Sequence, residues 1–165
     1  MRIYLIRHGN AVDPGTPSYD EDSQRPLTER GRDKMNKIAS ALKKMKVKPD
    51  LIVSSPYVRA RQTAEILAKV MKYKKSIMFS EALVPITDAD ELVGEINEKY
   101  TVDELVLVSH EPCISNLIGT LTANNPNICI NIKNGGVCCL SADDLHLERT
   151  AVLEWLLTPK LLSAL

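Results

Sequence analysis

The sequence predicts an α/β fold on a mainly parallel sheet with one antiparallel member near the end. Two observations carry that prediction. Short apolar runs at residues 3–6, 51–53 and 105–108 alternate with longer stretches whose apolar residues recur at helical period. The chain then changes character, because residues 137–141 and 145–156 flank Ala142-Asp143-Asp144 in the pattern of a hairpin. At 165 residues, 44% of them hydrophobic, the chain has material for one domain with a full core, residues 1–165, and little for a second.

Each element follows from local chemistry. After the first strand, residues 13–26 are rich in Pro, Asp and Ser and carry no periodicity, which predicts a surface loop near the strand's end. Thr28 can cap a helix whose stripe is Met35, Ile38, Ala39, Leu42 and Met45, stopped by Lys48-Pro49. Beyond the second strand, Ser55-Pro56 supplies a cap and a first-turn proline to a helix with Ala60, Ala64, Leu67 and Met71 on one face. Residues 77–79 read as a short third strand, joined through Leu83-Val84-Pro85-Ile86-Thr87 to a helix opened by the capping-box pair Asp88 and Glu91. That helix turns Leu92, Val93 and Ile96 inward. The fourth strand leads to His110, and Pro112 opens a helix striped with Ile114, Leu117, Ile118 and Leu121 that Asn124-Asn125-Pro126 ends.

What ends the strands is informative. Buried strands usually give way to turn formers, yet the first stops at Arg7-His8-Gly9. The second runs into Ser54-Ser55-Pro56 with Arg59 just beyond, and the fourth into Ser109-His110-Glu111-Pro112. Two histidines and two arginines therefore gather at three strand ends, which form the ligand crevice of an open α/β sheet. Arg59 also falls on a helix's opening turn, where free N–H groups favour an anion. The constellation reads as a phosphate site.

Composition narrows the alternatives. Twenty-one Lys plus Arg balance 21 Asp plus Glu, so no overall field draws the chain to nucleic acid or to an anionic membrane. No segment is long enough to span a bilayer and no signal-peptide pattern opens the chain, so a cytoplasmic protein is expected. The four cysteines, Cys113, Cys129, Cys138 and Cys139, sit in apolar surroundings without C-x-x-C spacing, which predicts reduced, buried thiols. A cysteine phosphatase would need an arginine six residues after its nucleophile, and those positions hold Gly119, Gly135, Asp144 and Leu145. A zinc site from His110, Glu111 and Cys113 lacks a second ligand pair.

At Leu5-Ile6-Arg7-His8-Gly9 the chain resembles the histidine phosphatase superfamily, the phosphoglycerate-mutase-like branch of phosphatases and mutases. Arg25-Pro26-Leu27-Thr28 with Gly31, Ser54-Ser55-Pro56 followed by Arg59-Ala60 and Gln62-Thr63, and Ser109-His110 with Pro112 occur in family order. The chain is similar end to end to the small SixA-type phosphohistidine phosphatases, including the closing Trp155 and Pro159. The resemblance implies a three-layer α/β/α sandwich with a mixed, mostly parallel sheet. It implies that His8 is the nucleophile, that Arg7, Arg59 and His110 hold the phosphoryl group, and that Arg25 lies near the substrate. Many members carry a glutamate general acid after the third strand; the comparable segment here reads Leu83-Val84-Pro85, as if that donor were missing.

Charge development on three phosphoryl oxygens calls for preorganised donors and cations, which the two arginines and a protonated His110 supply without metal or cofactor. His8 must react as neutral imidazole, so the two histidines are expected in opposite charge states, with bound phosphate raising the pKa of His110. The leading expectation is a phosphatase acting on phosphohistidine of a signalling protein through a phosphohistidine enzyme intermediate. The alternatives are a phosphomonoesterase for a small phosphorylated substrate and a non-catalytic phosphate-binding module. Plainer roles stand beside these: Arg59 could pair with Glu65, Arg25 with its acidic neighbours Asp20, Glu21 and Asp22, and His110 could be a core histidine. Asp88 reads as a cap and His146 is assigned no role. The short connection at residues 83–87 predicts an open crevice.

Overall fold

The computed structural model describes residues 1–143 and 150–165. Among them β1 (Arg2–Arg7), β2 (Leu51–Ser54), β3 (Met78–Phe79), β4 (Glu104–Ser109), β5 (Val137–Ser141) and β6 (Val152–Leu157) form one sheet in the order β3-β2-β4-β1-β5-β6. The β3–β2, β2–β4 and β4–β1 pairs are parallel, while β5 runs antiparallel to both β1 and β6. The sheet is therefore mixed and mostly parallel, with β5 as its one reversed member.

The apolar runs are continuous because both faces of the sheet are covered. Ile3, Leu5, Leu105, Leu107, Cys138 and Leu140 point to one side, into a core shared with α3 (Ala89–Lys99) and α4 (Cys113–Ala123). Their alternates Tyr4, Ile6, Val106, Val108, Val137 and Cys139 point to the other, against α1 (Glu29–Lys44), α2 (Val58–Met71) and α5 (Pro159–Leu162). A period of two along each strand thus builds three α/β/α layers. Thr28 caps α1 as its sequence suggests, its side chain accepting the Gly31 N–H. A Cβ on Gly31 would lie 2.1 Å from the Asn10 carbonyl, which is why the helix start needs glycine there.

Several boundaries differ from expectation. α1 ends at Lys44, with Lys46 in the left-handed region, before Lys48-Pro49 is reached. α2 begins at Val58 rather than directly after Ser55, because the Ser55 hydroxyl accepts from Tyr57 and meets the His110 ring instead of capping the helix. Asp88 precedes α3 without any side-chain cap bond; it and Glu91 are exposed, where solvent competes for such a bond. Cys113, Cys138 and Cys139 are buried free thiols, but Cys129 is exposed, since it lies in the irregular stretch after α4 rather than on an apolar face. The short closing helix α5, capped by Thr158, has no counterpart in the sequence reading. Of the expected hairpin turn Ala142-Asp143-Asp144, Asp144 lies outside the described residues, as do residues 145–149 of the expected second strand, His146 among them. No helix among the described residues is long and apolar enough to cross a membrane.

Candidate active site

The carboxyl ends of the adjacent strands β2, β4 and β1 lie side by side, with Arg7 in register with Ser109 and Ser54 with Val108. One residue further along each strand stand His8, Ser55 and His110. The His8 N–H donates to the Ser109 carbonyl and the Ser55 N–H to that of Val108, so the sheet ladder itself places these residues. The rings of His8 and His110 come to 4.9 Å between centroids, and Tyr57 stands edge-on to His110 at 5.1 Å.

Hydrogen bonds fix the His8 tautomer. Its Nδ1 lies 2.7 Å from the Gly9 carbonyl, which can only accept, so Nδ1 carries the proton. Its Nε2 lies 3.1 Å from Arg59 Nε, which can only donate, so Nε2 presents its lone pair. The Asn134 amide, 3.4 Å from both Nδ1 and the His8 carbonyl, accordingly donates to the carbonyl. Arg59, on the first turn of α2, also donates from Nη1 to the Asp22 carbonyl at 2.6 Å and from Nη2 to Asp22 Oδ2 at 2.8 Å. Thr63, one turn on, links helix to strand: its hydroxyl donates to the Arg59 carbonyl and accepts the Gly9 N–H. A Cβ on Gly9 would sit 2.6 Å from Met35 Cγ, so α1 packs against this strand end only because residue 9 has no side chain.

The structure brings Arg7, His8, Arg59 and His110 together. Arg7 donates from Nη1 to the Ile132 carbonyl at 2.6 Å, while its Nε is buried without a partner. His110 Nε2 meets Ser55 Oγ at 2.9 Å, and its Nδ1 is likewise buried and unpaired. Glu111 Oε1, whose charge acts on Arg7, is a third buried polar atom without a hydrogen-bond partner, and each such atom costs about 1–3 kcal/mol. Arg25 is tied into its own loop, donating to the Val12 carbonyl and to Asp22, as the salt-bridge reading anticipated. The suggested Arg59–Glu65 pair does not form; Arg61 takes that glutamate at 3.7 Å, because Arg59 faces inward and pairs with Asp22.

The site residues lie deep: His8, Arg59 and His110 expose 7%, 3% and 1% of their surface, and the Asp22 segment lies over Arg59. Without an anion the two histidines share one charge state. Burial pushes His8 down to about 3; the hydrogen bond to the Gly9 carbonyl opposes it, and Arg59, Arg7 and Arg25 each add to the depression. Burial, then His8 and Arg59, push His110 down to about 2. Both rings are neutral at pH 7. Asp22, Ser55 and Asn134 were not singled out beforehand as site residues. Only the nearness of Asp22 to Arg25-Pro26 hinted at it, because a loop carries no periodicity to show which side chain turns inward.

The depressed histidines have a measurable consequence. Above pH 6.5 they are neutral whether the chain is folded or not and contribute nothing. Below it the unfolded chain binds protons that the folded one refuses, so stability falls with pH down to about 3, by about 1.4 kcal/mol per histidine per pH unit. Urea unfolding at pH 5 should therefore show an uptake of up to about two protons from this pair. Uptake near zero would contradict the burial of neutral rings.

The histidine phosphatase superfamily (branch 1) family model matches residues 3–84. The chain is 31% identical over 124 residues to the phosphohistidine phosphatase SixA of Escherichia coli, covering 73% of this chain and 74% of that one. It is 31% identical over 150 residues to an uncharacterised protein of Picosynechococcus sp., covering 90% and 89%. The structure of a protein histidine phosphatase SixA complexed with tungstate superposes with a TM-score of 0.81 at 24% identity over 97% of this chain and 98% of that one. The alpha-ribazole phosphatase of Shigella flexneri does so at 0.77 and 17% identity over 96% and 97%. With its RHG strand end, its mixed sheet and its convergence of two histidines and two arginines, the chain belongs to the histidine phosphatase superfamily.

Proposed function

We propose that residues 1–165 act as one phosphatase domain that removes the phosphoryl group from phosphohistidine on a partner protein by way of His8. The observation that carries this reading is the clamped tautomer, which leaves the Nε2 lone pair of a neutral imidazole as the nucleophile. In the first step Nε2 bonds to phosphorus, the phosphorus–nitrogen bond of the substrate breaks, and its electron pair leaves with the departing imidazole, which solvent protonates. Water then attacks phosphorus, the bond to Nε2 breaks, and inorganic phosphate departs. Arg59 and Arg7 supply forked donors to the phosphoryl oxygens. A phosphoryl dianion brings the negative charge His110 lacks, so that ring takes up a proton as the anion binds.

The leaving group favours nitrogen. Leu83 is buried where a glutamate acid would follow the third strand, and the nearby carboxylates Glu81 and Asp88 are exposed and bond to no site residue. An alkoxide departs poorly without a proton, whereas an imidazole nitrogen is protonated by solvent. General-acid help is worth about 10²–10⁴-fold, so unactivated esters should trail phosphohistidine protein or phosphoramidate in kcat/KM by a similar order. A hydrolysis panel decides this. A small alkyl phosphate turned over far better than phosphohistidine would establish the phosphomonoesterase reading in its place, and phosphate binding without turnover of any substrate would establish the non-catalytic one.

A further inference from the structure

Arg59 and Arg25 share one anion, and it belongs to the chain. Asp22 Oδ2 accepts from Arg59, Asp22 Oδ1 accepts from Arg25 Nε and Nη2, and the Asp22 carbonyl takes a further Arg59 donor. Each carboxylate oxygen thus serves a different guanidinium, as two oxygens of a phosphoryl group could. The burial is unequal. The arginine side chains are only 4% and 12% exposed, whereas that of Asp22 is 51% exposed, on a single 3₁₀ turn (Asp22–Gln24) between two extended residues. The guanidinium groups also bond to His8 Nε2 and to the carbonyl of Val12, and the Asp22 carboxylate is held by little except these cations. Partial burial raises the Asp22 carboxyl, but the hydrogen bonds from Arg25 and Arg59 outweigh it and leave the group below its usual value, ionised at neutral pH.

We propose that Asp22 is a displaceable internal counter-ion that occupies the phosphoryl-binding arginines between turnovers. Its carboxylate swings out when a phosphoryl group enters and returns to expel the product phosphate. The inference rests on the functional reading above, since it takes Arg59 to meet the phosphoryl oxygens, and it adds Arg25, the second guanidinium on Asp22, to that group. It gives Asp22 a role in setting affinity rather than in the bond-making step. Without Asp22, empty arginines would hold inorganic phosphate tightly; with it, every anion must outcompete a carboxylate already in place.

Calorimetric titration of inorganic phosphate into the wild-type, Asp22→Asn and Asp22→Ala chains tests this without relying on catalysis. Both variants should bind phosphate about tenfold or more tightly, and Asp22→Glu should return the affinity toward that of the wild type. In turnover of phosphoramidate, KM should fall with inhibition by phosphate deepening, and kcat should fall where product release limits it. A carboxylate that merely props Arg59 in place predicts the reverse, so unchanged or weaker phosphate binding in both variants overturns the proposal. Absence of turnover by the wild type would overturn the functional reading alone, because the titration reads the competition directly.

Discussion

His8→Ala is expected to reduce turnover by on the order of 10⁴–10⁶, the scale seen when a covalent nucleophile is removed. It deletes the one nitrogen whose lone pair is presented by fixed partners on both sides of the ring. Acid-labile phosphate, recovered from wild-type protein quenched during turnover, should disappear from the variant. The fold should persist, because the strand's ladder bonds come from the backbone and not from the imidazole. Removing one buried neutral histidine should also cut proton uptake on unfolding at pH 5 by about one. An alanine variant with wild-type turnover and a normal melting curve would show that another group attacks phosphorus.

Arg59→Ala carries the second largest effect. Losing one preorganised charge-stabilising donor costs about 10²–10³ in kcat, and Arg59 supplies several: Nε orients His8, and the two Nη groups reach the anion position that Asp22 holds. The loss should reach the upper end of that range. Arg59→Lys should recover little of it, because an ammonium cannot meet the imidazole and both oxygens from one rigid plane. Steady-state kinetics with phosphoramidate reads both variants, and a lysine variant at wild-type kcat would reduce Arg59 to a point charge.

How much of this was legible beforehand follows from where physical signals repeat. Strands were readable as short continuous apolar runs such as Ile3 to Ile6, because both sheet faces are covered, and helices as stripes of period 3.6 such as Met35 to Leu42, because each buries one face. Arg7, His8, Arg59 and His110 stood out as charge and imidazole where apolar strands end. What escaped was set by tertiary competition: Ser55 was claimed by His110 rather than by the helix, and Asp22 by two arginines. How far the pKa of His110 falls while the site holds no anion was also out of reach, because composition shows which residues titrate but not how deeply the fold buries them.

The placement of β1 bears on how the chain comes into being. This strand hydrogen-bonds to β4 and β5, so residues 2–7 find their partners at residues 104–109 and 137–141. His8 precedes its partners in the chain: the carbonyl that receives its N–H belongs to Ser109, and its own carbonyl is bonded by Gly135. A growing chain must therefore carry this strand, apolar on both faces, unpaired until residues 104–109 and 137–141 have been made. Contacts so distant in sequence slow folding and leave such a strand open to aggregation in the meantime. A fragment cut between residues 60 and 136 would hold the RHG sequence and Arg59 but not β5, and could not build the pocket that gives them meaning.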